Sequence, residues 1–325
     1  MIKAISSPRI DWLINHIVSD ESIMSLKPII AGGSALSVYR AYRLYDDASK
    51  WRQLERLVEA NDNRTDLLLS KLDKFGDIDA WFPEEHPAHN GGYGSWLLTD
   101  AEHRDSLISP LGDNYRDVKS SKWANSFRRK RDSLGGPAGI IFQAIKTPVP
   151  SVRDLFKNFD YINCCVAYHD GILYYDSRID YIFNKFELRL NNSTNYKGSS
   201  MPKRVYSGIR AFKYAKRYHL DFSDELSYLV YKIYMDLGSI DYADYEDKVT
   251  LVNNVYGTTL MSKNDFKDMV KSFEQNFKYF TKMKTFKGEY AVYLIDRNLN
   301  GLKDYINNSG DTNKNKSYAV TTAPF

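Results

Sequence analysis

The chain is predicted to have an α/β (α+β) fold, a mixed, mostly antiparallel sheet flanked by helices and followed by a helical C-terminal region. Three observations point to this class. PIIAGGSALSVYRAYRLY (28–45) reads as a buried apolar strand, a two-glycine turn and a helix. Residues 123–176 alternate like successive strands: WANSF, GIIFQAI, YINCCVAY and, after the His169-Asp170-Gly171 turn, GILYYD. From 201 to 310 the apolar spacing turns helical, with Phe212, Leu226, Leu229, Val230, Ile233, Leu237, Leu251, Val252, Phe273 and Phe280 as core positions.

In chain order, residues 8–26 have helical spacing through Ile10, Leu13, Ile17 and Ile23. After the glycine turn, Trp51, Leu54, Leu57 and Val58, then Leu67, Leu68, Leu69 and Leu72, predict one or two helices inserted at about 40–72. FGDIDAWF (75–82) supplies the next strand, and 83–118, with EEHPAHNGGYGS, reads as an irregular excursion. The domain reading is a core over 1–185 carrying insertions at 40–72 and 83–118, a helical domain over 186–308 and a polar, disordered tail over 309–325.

At 325 residues the chain can bury a sizeable core, and 43% hydrophobic with 26% charged residues is ordinary for a globular protein. No apolar run approaches a membrane span, and the first residues lack a secretory core segment. The two cysteines, Cys164 and Cys165, are adjacent and fall inside a core strand, so packing in a reducing cytoplasm is expected. A net charge of +4 is too small to argue for nucleic acid alone. Its distribution says more. Between Leu188 and Leu220 there is no acid, while Arg189, Lys197, Lys203, Arg204, Arg210, Lys213, Lys216 and Arg217 all occur, which predicts a surface suited to an anionic ligand.

Asp77 and Asp79 stand two apart on a strand, so they share a face and can hold divalent cations side by side. Upstream, Gly32, Gly33 and Ser34 form a turn in which backbone N–H groups and a hydroxyl can approach a phosphate at a helix N-terminus. Gly33 is the position expected to need positive φ. On 204–217, Arg210, Lys213, Tyr214 and Arg217 share one helical face, with Val205, Ile209, Phe212 and Ala215 opposite as the packing side. The basic groups can pair with phosphates and the Tyr214 ring can stack on a base; the plainer reading is a solvated face. RRKR at 128–131 could grip an RNA backbone, although such runs are more often solvated, and His86, His89 and His103 read as loop histidines rather than metal ligands. Ser-His-Asp, Gly-x-Gly-x-x-Gly and Walker arrangements are absent from the sequence.

The ordered set of strand–GGS–helix, Asp-x-Asp on a strand, WANSF, GIIFQAI, FDYINCCVAY and RAFKYAKRYHL (210–220) resembles the nucleotidyltransferase superfamily named for DNA polymerase β. The resemblance covers about residues 28–220, and its closing Arg/Lys-Tyr helix is similar to that of viral and phage-type, template-independent members. It implies a third carboxylate on a later strand, for which Asp160 is the candidate, with Asp154, Asp170 and Asp176 nearby. It also implies Mg²⁺ or Mn²⁺ held by Asp77, Asp79 and Asp160, with a nucleoside triphosphate donor cradled by Gly32, Gly33 and Ser34 and contacted by Arg210, Lys213, Tyr214 and Arg217. The expected activity moves a nucleoside monophosphate to a hydroxyl and releases pyrophosphate. An RNA end such as tRNA is the first acceptor and a protein hydroxyl the second, in the cytoplasm, or the host cytoplasm if the chain is viral. The competing class is an inactive protein of the same fold that binds RNA or protein. The long spacing between Ser34 and Asp77 departs from the family pattern and leaves acceptor recognition unassigned.

Overall fold

The computed structural model describes residues 1–18, 20–59, 77–99, 115–129, 140–191, 199–253 and 257–283. They fall into two compact units: Met1–Phe159 with Asn163–Ile179, and Asp160–Ile162 with the chain from Asp180 onward.

The first unit contains β1 (Ile2–Ser6), α1 (Pro8–Val18), α2 (Glu21–Ser25), β2 (Ile29–Ala31), α3 (Gly33–Leu44), α4 (Ala48–Glu59), β3 (Asp77–Trp81), β4 (Tyr115–Ser120), β5 (Ala124–Arg129), β6 (Ile141–Ile145), α5 (Val152–Asn158), β7 (Val166–His169) and β8 (Ile172–Asp176). Its strands form one sheet in the order β1-β8-β7-β2-β3-β6-β5-β4. Every described pairing in it is antiparallel except β3 with β6, so the expected mixed, mostly antiparallel sheet is what the chain forms.

Strand alternation gives this sheet two unlike faces. Ile30, Ile78, Phe142 and Phe127 lie on one and are buried to 1% or less. α1 covers that face: Tyr168, opposite Ile30, donates its hydroxyl to Asp11 Oδ1 of α1 at 2.8 Å, and Tyr115 donates to the Val18 carbonyl at 2.9 Å. The other face carries Asp77, Asp79 and Trp81 on β3. At its Trp81 end it is apolar, with the Phe159 ring that follows α5 edge-on to Trp81 at 6.0 Å between centroids.

Ile10, Leu13, Ile17 and Ile23 are buried as the periodicity predicts, but the stretch breaks into two helices, the second capped by Asp20, whose carboxylate accepts from Ile23 N–H. In the insertion, α4 buries Trp51, Leu54 and Val58 but leaves Leu57 exposed. Leu67, Leu68, Leu69 and Leu72, the middle of the 83–118 excursion and the 309–325 tail lie outside the described residues. The described part of the excursion holds two single 3-10 turns, Pro87–Asn90 and Ser95–Leu97.

FDYINCCVAY is not one strand. Asp160–Ile162 pass into the second unit, Ile162–Cys164 form a 3-10 turn, and the strand begins only at Val166. Cys164 and Cys165 are nevertheless both buried as reduced thiols, and desolvation pushes the Cys165 thiol well up.

The second unit contains most of α6 (Arg178–Lys185), then β9 (Glu187–Leu188), α7 (Met201–Tyr218), β10 (Asp221–Phe222), α8 (Asp224–Leu237), β11 (Lys248–Asn253), β12 (Gly257–Ser262) and α9 (Lys263–Met283). α7 is the central helix. Its Gly208 faces α9 so closely that a Cβ there would sit 2.5 Å from Phe273 Cε2. Phe212 packs against Phe222, Phe273 and Phe280 at 5.7, 5.6 and 5.3 Å between centroids. The predicted helical run is interrupted: Leu251 and Val252 lie on the antiparallel β11–β12 hairpin, where alternation buries the first and exposes the second.

Candidate active site

β2 is three buried residues ending at Ala31. The chain then turns at Gly32, at φ 78° and ψ −137°, a backbone conformation nearly restricted to glycine. Positive φ is therefore required of Gly32, not of Gly33 as the sequence suggests; Gly33 is the first residue of α3. Gly32 N–H donates to the Val166 carbonyl at 3.1 Å, and its own carbonyl accepts from Leu36 N–H at 2.9 Å. The amides of Gly33, Ser34 and Ala35 thus precede the first intrahelical bond and have no acceptor within the helix. No side chain caps this terminus, and its first turn holds no acid. Ser34 is 1% exposed, and its hydroxyl has no hydrogen-bond partner among the described residues.

The antiparallel register places Ala31 opposite Asp79, which brings the turn against the carboxylate. A Cβ on Gly32 would lie 3.8 Å from Asp79 Oδ2, in van der Waals contact. Asp77 and Asp79 are half-buried on the same face, while the intervening Ile78 is fully buried on the other. Across the parallel pairing, Asp79 stands beside Gln143 of β6, which in turn pairs with Ser126 of β5, and Ser126 with Lys119 of β4. One register step away, Asp77 pairs with Ile141 and Ile141 with Arg128. Lys119 and Arg128 are exposed. A polar row therefore crosses four strands beside the turn, at the end of the face opposite the helices.

Among the described residues no three His, Cys, Asp or Glu side chains cluster as a metal site. The pair Asp77 and Asp79 nevertheless suits Mg²⁺ or Mn²⁺. These are hard cations that take oxygen donors and are commonly held by one or two carboxylates plus the phosphates of a substrate. The uncapped α3 terminus and the buried, unpartnered Ser34 hydroxyl are donors suited to those phosphates.

The other predicted site residues belong to the second unit. Asp160 is buried, and its Oδ2 accepts from Arg210 Nη1 at 2.9 Å and Ser207 Oγ at 3.0 Å. Arg210 also donates to the Tyr214 hydroxyl at 2.9 Å. Tyr214 itself is buried, edge-on to Tyr161 and stacked with Tyr218. The expected common face of α7 is therefore split. Arg210 and Tyr214 turn inward around Asp160, whereas Lys213 is exposed and Arg217 half-exposed. Val205, Phe212 and Ala215 are buried as predicted, and Ile209 is half-buried.

The acid-free run Leu188–Leu220 is likewise not acid-free in space. Arg189 pairs with Glu187 at 2.6 Å, Arg204 with Asp236 at 2.6 Å and Arg210 with Asp160. Desolvation pulls the Lys203 ammonium below its ordinary value, with Asp160 opposing. Lys197 lies outside the described residues, as do the last two residues of RRKR.

The carboxylates near Asp160 in sequence are also engaged: Asp154 with Lys157, Asp170 with Lys27 and Asp176 with Arg178. His86 is structural. Its Nδ1 accepts from Ala88 N–H at 3.1 Å, which puts the proton on Nε2, 2.9 Å from the Leu26 carbonyl. His89 approaches the Phe82 carbonyl, and His103 is outside the described residues. Gln143 and Ser126 are the site residues that sequence reasoning missed. The signal for Gln143 was present, a lone amide inside the apolar strand GIIFQAI.

No protein-family model and no curated protein matches the chain. Solved structures similar to it include the Thermotoga maritima CCA-adding enzyme complexed with tRNA, at 12% identity and TM-score 0.38, over 92% of this chain and 59% of that one. Another is the complex of a CCA-adding enzyme with ATP, at 11% identity and TM-score 0.41, over 92% and 55%. A tRNA-processing enzyme in an apo form is similar at 12% identity and TM-score 0.39, over 96% and 77%. The chain spans little more than half the length of the CCA-adding enzymes. Among the described residues no helix is long and apolar enough to cross a membrane.

Proposed function

We propose that the chain is a metal-dependent nucleotidyltransferase that moves a nucleoside monophosphate from a triphosphate to a hydroxyl and releases pyrophosphate. The observation that carries this reading is the register that sets Asp79 opposite Ala31, beside the Gly32 turn, so that an uncapped helix terminus adjoins a carboxylate pair. The amides of Gly33, Ser34 and Ala35 and the Ser34 hydroxyl would donate to the β/γ-phosphates. Asp77 and Asp79 would hold Mg²⁺ or Mn²⁺. When bound, such a cation neutralises developing phosphate charge and lowers the pKa of an attacking hydroxyl. Lys119 and Arg128, exposed in the same polar row, favour an RNA end over a protein hydroxyl as acceptor, because basic side chains neutralise backbone phosphates. In the second unit, Lys213 and Arg217 are the α7 cations disposed for an anionic ligand. Asp160 and Arg210 satisfy one another, so a metal role for Asp160 would require that pair to open.

That pairing also favours the second reading, a non-catalytic module of this fold that binds RNA, because it engages the third expected carboxylate with an arginine. Pure protein is incubated with each radiolabelled nucleoside triphosphate, Mg²⁺ or Mn²⁺, and total cellular RNA. Transfer of label to RNA is expected, and Asp79→Asn should reduce it about a hundred- to a thousandfold without changing the melting curve, the range typical for removing one group that stabilises transition-state charge. Transfer at wild-type rates by a folded Asp79→Asn protein would place the chemistry elsewhere, and no transfer with retained RNA binding would leave the binding module.

A further inference from the structure

The parallel pairing of β3 with β6 is the one exception in the sheet, and it sets Gln143 directly beside Asp79. Paired residues on adjacent strands present their side chains on the same face, with strands about 4.8 Å apart. Asp79 is thus flanked by the Gly32 turn on the β2 side and by Gln143 on the β6 side. Gln143 is half-buried between Phe142 and Ala144, both fully buried on the opposite face. An amide in such a strand loses hydration on folding, so its hydrogen-bonding atoms need partners. Its Nε2 donates to Ser126 Oγ at 3.4 Å, on β5 and therefore on the side away from Asp79. The remaining polar atom is the carboxamide oxygen, an acceptor beside the two carboxylates of Asp77 and Asp79. Three such oxygen donors around one divalent cation form a coordination set.

We propose that Gln143 is the third, neutral ligand of the Asp77/Asp79 cation site, with Ser126 holding its amide in the orientation that presents Oε1. The inference rests on the reading of Asp77 and Asp79 as a cation pair. Its consequence is a site of two negative charges rather than three, which binds a free cation weakly and favours one that arrives with a triphosphate.

The test is Mn²⁺ affinity without nucleotide, measured by the loss of the free-ion electron paramagnetic resonance signal. Gln143→Glu should tighten Mn²⁺ at least about tenfold, and near-isosteric Gln143→Met should weaken it at least about threefold, with Asp79→Asn as the control that abolishes binding. Far-UV circular dichroism reports folding, and Gln143→Met, which adds no charge to the sheet, keeps the test decisive if the glutamate variant misfolds. Loss of Mn²⁺ binding in Asp79→Asn with wild-type affinity in folded Gln143→Met would overturn the role of Gln143 alone. Wild-type affinity in Asp79→Asn would overturn the cation pair and this inference with it.

Discussion

Replacing Asp160 by alanine should loosen α7 by several kcal/mol. The Asp160 side chain is 8% exposed and that of Arg210 14%, and the two meet at 2.9 Å, with Ser207 Oγ on the same carboxylate oxygen at 3.0 Å. Alanine leaves the guanidinium buried with the neutral Tyr214 hydroxyl as a poor substitute. Removing one member of a buried ion pair typically costs about 3–5 kcal/mol. The residual exposure of both groups argues for the lower end, about 3 kcal/mol, equivalent to roughly two decades in an opening equilibrium. Arg210→Met should cost a similar amount, and the double variant less than the two together by about 1–3 kcal/mol.

All five tryptophans, at 12, 51, 81, 96 and 123, precede the second unit, so tryptophan fluorescence would miss this event. Hydrogen exchange of peptides from 201–218 reports it, and their opening should accelerate about a hundredfold. Protection within threefold of wild type in both single variants would refute the anchoring role. If Asp160→Ala instead abolished Mn²⁺ binding with α7 protection intact, the carboxylate would be a metal ligand, as the family resemblance implies.

At the turn, Gly32→Ala should cost about 1–3 kcal/mol in stability through backbone strain and weaken triphosphate binding by calorimetry, whereas Gly33→Ala should leave stability nearly unchanged. On α7, Tyr214→Ala should destabilise by about 3 kcal/mol in urea unfolding as a buried ring is lost, while exposed Lys213→Ala should not change stability. Desolvation holds the His86 pKa below its ordinary value of 6.5. The unfolded chain therefore takes up the proton first, and stability present above pH 6.5 should fall as pH drops from there toward the folded-state value. In His86→Gln that part of the slope in the urea midpoint should vanish.

The glycine turn, the carboxylate pair and the order of most strands were legible because each is a local pattern: an apolar run into Gly32, alternation through Asp77 and Asp79, and a turn at Asp170-Gly171. What was not legible depends on partners distant in sequence. Whether Arg210 faces solvent or Asp160 cannot follow from helical periodicity, since the acid that captures it lies 50 residues away. For the same reason the run Leu188–Leu220 looked uniformly basic, although Glu187 and Asp236 from outside it pair with Arg189 and Arg204. Strand pairing is non-local too, so the neighbour of Asp79 could not be named until β3 was found against β6. That Tyr214 is buried while its neighbour Lys213 is exposed was equally hidden, because an aromatic among basic residues suits base stacking and core packing alike.

The passage of Asp160–Ile162 into the second unit has a consequence for anyone dividing this gene. The backbone crosses from one unit to the other three times, after Phe159, after Ile162 and after Ile179, so no single cut releases both units whole. A fragment starting at Asp180 lacks Tyr161, a fully buried residue whose hydroxyl donates to the Ser207 carbonyl at 2.6 Å and whose backbone bridges Leu190. Such a fragment should need the missing tripeptide in trans, and a split version of the protein should regain its native state only when both pieces are present.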